Sequence, residues 1–211
     1  MPDLLREDGQ NGARPSADRS GMRDFGKRSF DIFASTIGLV VFAVPMLAIG
    51  TIVRMTSSGP AVHWSRRVGR HGTIYAMPKF RSMYVTAPNV ATHLLQDADR
   101  WVTPFGRFLR ATSLDELPQL WSVFVGDMSV VGPRPALYSQ DDLIALRKAH
   151  GIDTLRPGIT GWAQINGRDE LAVPDKVRLD AEYLAHHGVL HDIGIILRTI
   201  GKVLMRDGIR H

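Results

Sequence analysis

The chain has 211 residues, no cysteine, 26 Lys and Arg against 21 Asp and Glu, and a formal net charge of +5. That length fits one domain with small appendages, and the missing thiols exclude disulfides and thiolate metal sites. The basic balance suits anionic partners such as phosphates or an acidic membrane face.

Residues 1–25 are rich in Asp, Arg, Gly, Ser and Pro and lack periodicity, so they read as a disordered tail with no apolar leader. Residues 32–53 then form a run of 22 without a charge, long enough to span a bilayer. Pro45 interrupts the run, because it lacks a backbone donor and clashes with the preceding turn. Arms of about 20 Å and 12 Å remain on either side at 1.5 Å per residue. Lys27 and Arg28 precede the run and Arg54, Arg66 and Arg67 follow it, and the positive-inside rule places both flanks in the cytoplasm. A helix that enters, bends at Pro45 and leaves on the same side satisfies both constraints. Residues 26–56 are therefore read as a re-entrant membrane helix, with a buried core helix as the plainer alternative.

Short strands are expected at 61–65 and 73–77, between turns. Residues 94–110 and 117–125 read as helices, and 126–127 and 132–135 as turns. A helix over 140–150 ends at Gly151, and a Gly-rich loop covers 156–168. Amphipathic helices follow at 176–187 and 192–206. In the last, Arg198, Lys202 and Arg206 oppose Ile193, Ile196, Ile200 and Val203. That pattern suits a helix lying on an anionic membrane, and equally a packed helix with a solvated face. The fold class is α+β and helix-dominated: a monotopic membrane protein with one N-terminal re-entrant helix, and residues 57–211 as a cytoplasmic catalytic domain carrying membrane-surface helices.

Ser113 and Glu116 match a capping box, the plain structural reading of this stretch. Pro118, however, prefers the first turn of a helix, which puts Asp115 and Glu116 just before a helix start, where exposed N–H groups favour negative charge. An adjacent acid pair there suits nucleophilic attack on phosphorus and Mg²⁺ binding. Lys79, Arg81, Arg107, Arg110, Arg134 and Arg168 supply cations of the kind that phosphates need. Arg134 is fixed between two prolines. Gly158, Gly161 and Gly167 allow close backbone approach to a ligand, or simply make turns. No Walker A sequence, dinucleotide fingerprint or zinc-spaced histidine cluster is present.

Four runs carry a family resemblance: Lys79-Phe80-Arg81-Ser82-Met83; Ser113-Leu114-Asp115-Glu116-Leu117-Pro118-Gln119-Leu120 after Leu109-Arg110; Gly126-Asp127-Met128-Ser129 through Gly132-Pro133-Arg134-Pro135; and Arg156-Pro157-Gly158 through Asn166-Gly167-Arg168. Together with Lys27-Arg28-Ser29-Phe30-Asp31, they resemble the bacterial sugar transferase family, the small monotopic polyprenyl-phosphate phosphoglycosyl transferases, over about residues 26–211. The resemblance implies that Asp115 is the nucleophile toward the phosphate bearing the sugar of a UDP-sugar, that UMP leaves, and that polyprenyl phosphate then takes the phosphosugar. It makes Glu116 a holder of Mg²⁺ and Lys79, Arg110, Arg134 and Arg168 the phosphate binders; the chemistry of the residues adds Asp115 to the metal ligands and Arg81 to the phosphate and substrate binders. It also implies the cytoplasmic face of the bacterial inner membrane, with undecaprenyl phosphate and anionic lipids as partners and the first membrane step of O-antigen, capsule or exopolysaccharide synthesis as the role. A homodimer stays open. The C-terminal stretch looks most like members using N-acetylated amino sugars such as N-acetylquinovosamine or N-acetylfucosamine; glucose or galactose is the nearest rival. A non-catalytic protein binding anionic membranes is the rival of another class. Nucleic acid is not expected, because the basic residues are scattered.

Overall fold

The computed structural model describes residues 17–87, 98–167 and 171–205. The first helix, α1, runs Ala17–Val41 and so begins inside the segment read as a tail. Both prolines of that tail, Pro2 and Pro15, lie ahead of Ala17, and nothing after them forbids a helix. α1 has an inverted pattern. Lys27, Asp31 and Ser35, four residues apart on one face, are buried, while Phe33, Val40 and Val41 are exposed.

The second helix, α2, runs Ala43–Thr56 and bends away from α1 by 60°. Pro45 lies in its first turn and has no N–H to return to the Val41 carbonyl. Around it, the Phe42 N–H reaches Gly38 O at 2.9 Å and the Met46 N–H reaches Phe42 O at 2.8 Å. The bend thus falls where the sequence placed it. Among the described residues no single helix is long and apolar enough to cross a membrane, but this bent pair passes that test together. α2 buries only Ile49 and Val53, which pack on Phe80 and Leu109.

Strands β1 (Val62–Val68) and β2 (Ile74–Phe80) pair antiparallel, with Ser65 opposite Met77 and Arg67 opposite Tyr75. Both are longer than the sequence suggested. Pro78 is tolerated in β2 because that strand is at the edge of its sheet. The stretch read as one helix over 94–110 is two: α3 (Ala98–Trp101) and α4 (Pro104–Thr112). Thr103 caps α4 by accepting from the Gly106 N–H at 2.8 Å, and Pro104 occupies the first turn. Residues 94–97 lie outside the described residues.

After α5 (Gln119–Val125) come three short strands that the sequence presents as turns and loop: β3 (Ser129–Val131), β4 (Ala136–Leu137) and β5 (Gly158–Thr160). β4 adds to β1, giving the order β2-β1-β4, while β3 and β5 form a separate parallel pair. Gly132 and Gly158 make that pair possible. A Cβ on Gly132 would stand 2.3 Å from the Arg156 carbonyl oxygen, and one on Gly158 would stand 2.1 Å from the Gly132 nitrogen. The close approach expected of Gly158 is therefore to backbone.

α6 (Asp141–Ala149), α7 (Trp162–Ile165), α8 (Val173–His186) and α9 (Val189–Met205) complete the chain. α8 is a core helix, burying Val177, Leu179, Asp180 and Tyr183. α9 buries Asp192 and Ile195 and leaves Leu190, Ile193, Leu197 and Ile200 exposed along its other side. Among the described residues the apolar interior is divided into four small clusters. Ile49, Val53, Phe80 and Leu109 join α2, β2 and α4; Met77, Val123 and Met128 join β2 to α5. Val131, Ile165, Tyr183 and Ile195 join β3 to α7, α8 and α9; Ala136, Leu143, Ile152 and Val177 join β4 to α6 and α8.

Candidate active site

α4 ends at Ser113, which adopts a left-handed conformation (φ 57°) and returns its N–H to the Arg110 carbonyl at 3.2 Å. A non-glycine residue there is strained, a condition that clusters at functional sites. The turn it creates carries Leu114–Glu116 as one 3-10 turn, after which Pro118 opens α5. The capping box does not form: Ser113 makes no side-chain cap bond, and the Glu116 N–H bonds the Ser113 carbonyl at 3.2 Å.

The two carboxylates meet different environments. Glu116 accepts from the Lys79 ammonium at 2.6 Å and has an Arg134 guanidinium nitrogen at 4.0 Å. Asp115 is 8% exposed. Burial is the main force that raises its pKa to about 6, aided by the Glu116 charge and opposed by Lys79 and Arg110. Its own backbone N–H is the hydrogen bond that favours its charged form. The dyad therefore holds one neutralised carboxylate and one buried, weakly solvated carboxylate.

Each cation has a distinct origin. Lys79 leaves β2 on the same face as Tyr75 and Met77, by the alternation of a strand, and that face meets α5. Arg110 is in the last turn of α4, and its charge acts on Asp115. Arg134 is framed by Pro133 and Pro135, and its carbonyl accepts from Arg147 at 2.8 Å. Arg147 is itself anchored on the buried Asp180 at 2.7 Å. Arg81, expected with these cations, is turned elsewhere: its Nη2 donates to the Ser57 carbonyl and hydroxyl, both at 2.8 Å, at the C-terminal end of α2. It fastens α2 to β2. Arg168 lies outside the described residues.

A small cleft opens beside Glu116, lined by Lys79, Met77, Arg134, Pro135, Gly158, Ile159, and by two residues not expected at the site, Arg67 and Gln119. Arg67 shares the Lys79 face only through the strand register, which pairs it with Tyr75. Gln119 stands three residues after Glu116, a spacing that puts both on one face of a turn and could have been read from the sequence. A larger hollow of about 190 Å³ is lined by residues that include Pro133, Ala136, Val68 and Pro157, and by neither carboxylate of the dyad. Of the two adjacent carboxylates, Glu116 lines the cleft with Arg67, Lys79 and Arg134, while Asp115 is buried beside it under the charges of Lys79 and Arg110.

Residues 22–206 match the model of a family described as bacterial sugar transferase. The undecaprenyl-phosphate galactose phosphotransferase of Salmonella typhimurium is 37% identical over 202 residues, covering 87% of this chain and 41% of that protein. The UDP-glucose:undecaprenyl-phosphate glucose-1-phosphate transferase of Escherichia coli is 39% identical over 191 residues, with 87% and 41% covered. An uncharacterised sugar transferase of Bacillus subtilis is 38% identical over 184 residues, with 87% and 90% covered. The chain thus spans 41% of the length of the first two relatives and 90% of the third. It belongs to the bacterial sugar transferase family.

Proposed function

We propose that this family member moves a sugar 1-phosphate from a UDP-sugar to undecaprenyl phosphate, releasing UMP, through a covalent phosphosugar on Asp115. The observation that carries this reading is the inequality of the dyad. Glu116 is neutralised by Lys79 at 2.6 Å, whereas Asp115 is buried, with its pKa raised to about 6. A carboxylate ionised at neutral pH but poorly solvated is poised to attack. In the first step an Asp115 oxygen bonds the phosphorus that carries the sugar, the bond between the two phosphates breaks, and UMP leaves with its electron pair. In the second, a phosphate oxygen of the lipid attacks the same phosphorus and the aspartyl oxygen leaves. Lys79, Arg110 and Arg134 offset the charge that would otherwise repel the carboxylate.

Mg²⁺ is the proposed cofactor. Among the described residues no group of three or more His, Cys, Asp or Glu could hold a metal. Asp115 and Glu116 are hard oxygen donors, and Mg²⁺ characteristically takes one or two carboxylates and completes its set with substrate phosphates. Bound there, it would neutralise phosphate oxygens.

For the sugar, the Salmonella and Escherichia relatives are named for galactose and glucose. These two therefore come before the N-acetylated amino sugars suggested by the C-terminal stretch, which neither of those names mentions. For location, α1 and α2 are read as a re-entrant unit in the cytoplasmic face of the inner membrane. The inverted burial of α1, the exposed apolar surface of α2 and the apolar stripe of α9 support this, because such continuous surfaces are rare on proteins surrounded by water.

The experiment is UMP release by detergent-solubilised protein from UDP-galactose, UDP-glucose and UDP-N-acetyl amino sugars, with and without undecaprenyl phosphate. The expected result is a burst of about one equivalent of UMP from donor alone and ping-pong rates with both substrates. UMP formed only when both substrates are bound overturns the covalent step, and silence on every donor overturns the reaction.

A further inference from the structure

Gln119 is 2% exposed, and its side-chain nitrogen is buried without a hydrogen-bond partner. Buried polar groups are nearly always paired, and an exception calls for a reason. Gln119 is in the wall of the cleft that Glu116 and Lys79 also line, so a ligand in that cleft can supply the missing partner. Arg67, Lys79 and Arg134 line the same cleft and provide its positive charge. An uncharged carboxamide among them adds nothing to the neutralisation of phosphate. It combines donor and acceptor in one planar group, which is the chemistry that reads a hydroxyl or an acylamino group. The position narrows the choice. The transferred sugar is one ester oxygen from the phosphorus that Asp115 attacks, whereas uridine stands beyond the second phosphate. Gln119, one turn from the dyad, is placed for the sugar.

We infer that Gln119 hydrogen-bonds a hydroxyl or acylamino substituent of the transferred sugar and thereby selects the donor; this rests on the reaction proposed above. A site built to bond such a group discriminates strongly against an analogue lacking it, because the buried amide is then left unpaired.

The test crosses Gln119→Leu with the best UDP-sugar and its monodeoxy or deacetamido analogues, reading kcat/KM from UMP release and Tm from thermal unfolding. The wild type is expected to lose at least about tenfold on one analogue. Gln119→Leu should lose at least about tenfold on the parent sugar and fall within about threefold of the wild type on that one analogue. Its Tm should stay level or rise, because an unpaired buried group has been removed. A variant that loses equally on parent and all analogues, or loses Tm and activity together, marks Gln119 as structural and overturns the inference. So does a wild type that treats every analogue like the parent, a result independent of how the variant folds. In these cases UMP release by the wild type leaves the reaction standing; a wild type silent on every donor overturns both.

Discussion

One lysine and two carboxylates meet at two places in this molecule, with opposite results. Where α1 meets β3 and α9, Lys27 donates to Asp192 and to the Val131 carbonyl. Asp192 also accepts from the Tyr183 hydroxyl at 2.7 Å, and Asp31 accepts from the Ser129 hydroxyl and the Val130 N–H. Lys27, Asp31 and Asp192 are all buried and all partnered. At the start of α5, Lys79 donates to Glu116, the buried Asp115 is held chiefly by the charges of Lys79 and Arg110, and Gln119 keeps an unpaired donor. The same residue types build a fastening in one place and, with Gln119 left unpaired beside them, the proposed reactive site in the other. Burial alone does not separate the two; completeness of pairing does.

The sharpest way to break this comparison is Asp115→Asn. Activity should fall at least about a thousandfold, as removal of a nucleophile does, while the protein becomes more stable by about 2 kcal/mol at neutral pH, since a buried, poorly solvated charge is gone. UMP release and thermal unfolding on one preparation check both. A variant that is inactive and also less stable would make Asp115 part of the framework.

The fastening should behave in the reverse way. Lys27→Met leaves Asp192 buried without its cation and should cost about 3–5 kcal/mol, whereas Lys27→Met with Asp192→Leu should regain most of that. Lys79→Met, at a half-open site, should leave the unfolding midpoint nearly level and lower kcat instead. Denaturant titration of all three variants reads the contrast directly.

The third measurement is pH. Asp115 must be ionised to attack, and its folded pKa is about 6 against an ordinary 3.8. Activity should drop tenfold per unit below about pH 6, and an acid limb near 4 would count against a buried nucleophile. Stability runs the other way. The folded chain holds this proton more tightly than the unfolded chain, so the contribution is full below about pH 4, is lost as pH rises to about 6, and stays level above. Asp115→Asn should remove that slope.

The smallest effect concerns Ser113. Ser113→Gly relieves its positive φ and should stabilise by about 1 kcal/mol, with a modest loss of activity as the dyad loosens. Equal activity would show that the strain has no part in holding Asp115.

Most of the site was legible because its chemistry is compact in sequence. The Asp115-Glu116 pair, the start of α5 at Pro118 and the proline-framed Arg134 are local signals, and the structure brings them together with Lys79 and Arg110. Pro45 marked the bend for the same reason. The strands β3 and β5 were not legible. Each has three residues, set among glycines and prolines that read as turns, and only the backbone contact of Gly132 with Gly158 makes them a pair. Arg81 misled because the alternation that aims Lys79 toward the cleft ends with β2 at Phe80. Arg67 depended on strand register, which one sequence does not state. The break between α3 and α4 is marked in the sequence by Thr103-Pro104, a cap followed by a first-turn proline.

The polar stripe of α1 also sets a timetable. Asp31 meets Ser129 across 98 positions, and Lys27 meets Asp192 across 165. At about 5–20 residues per second, the second contact becomes available roughly 10–30 s after Lys27 is made. α1 thus depends on two later segments, β3 for its carboxylate and α9 for its ammonium.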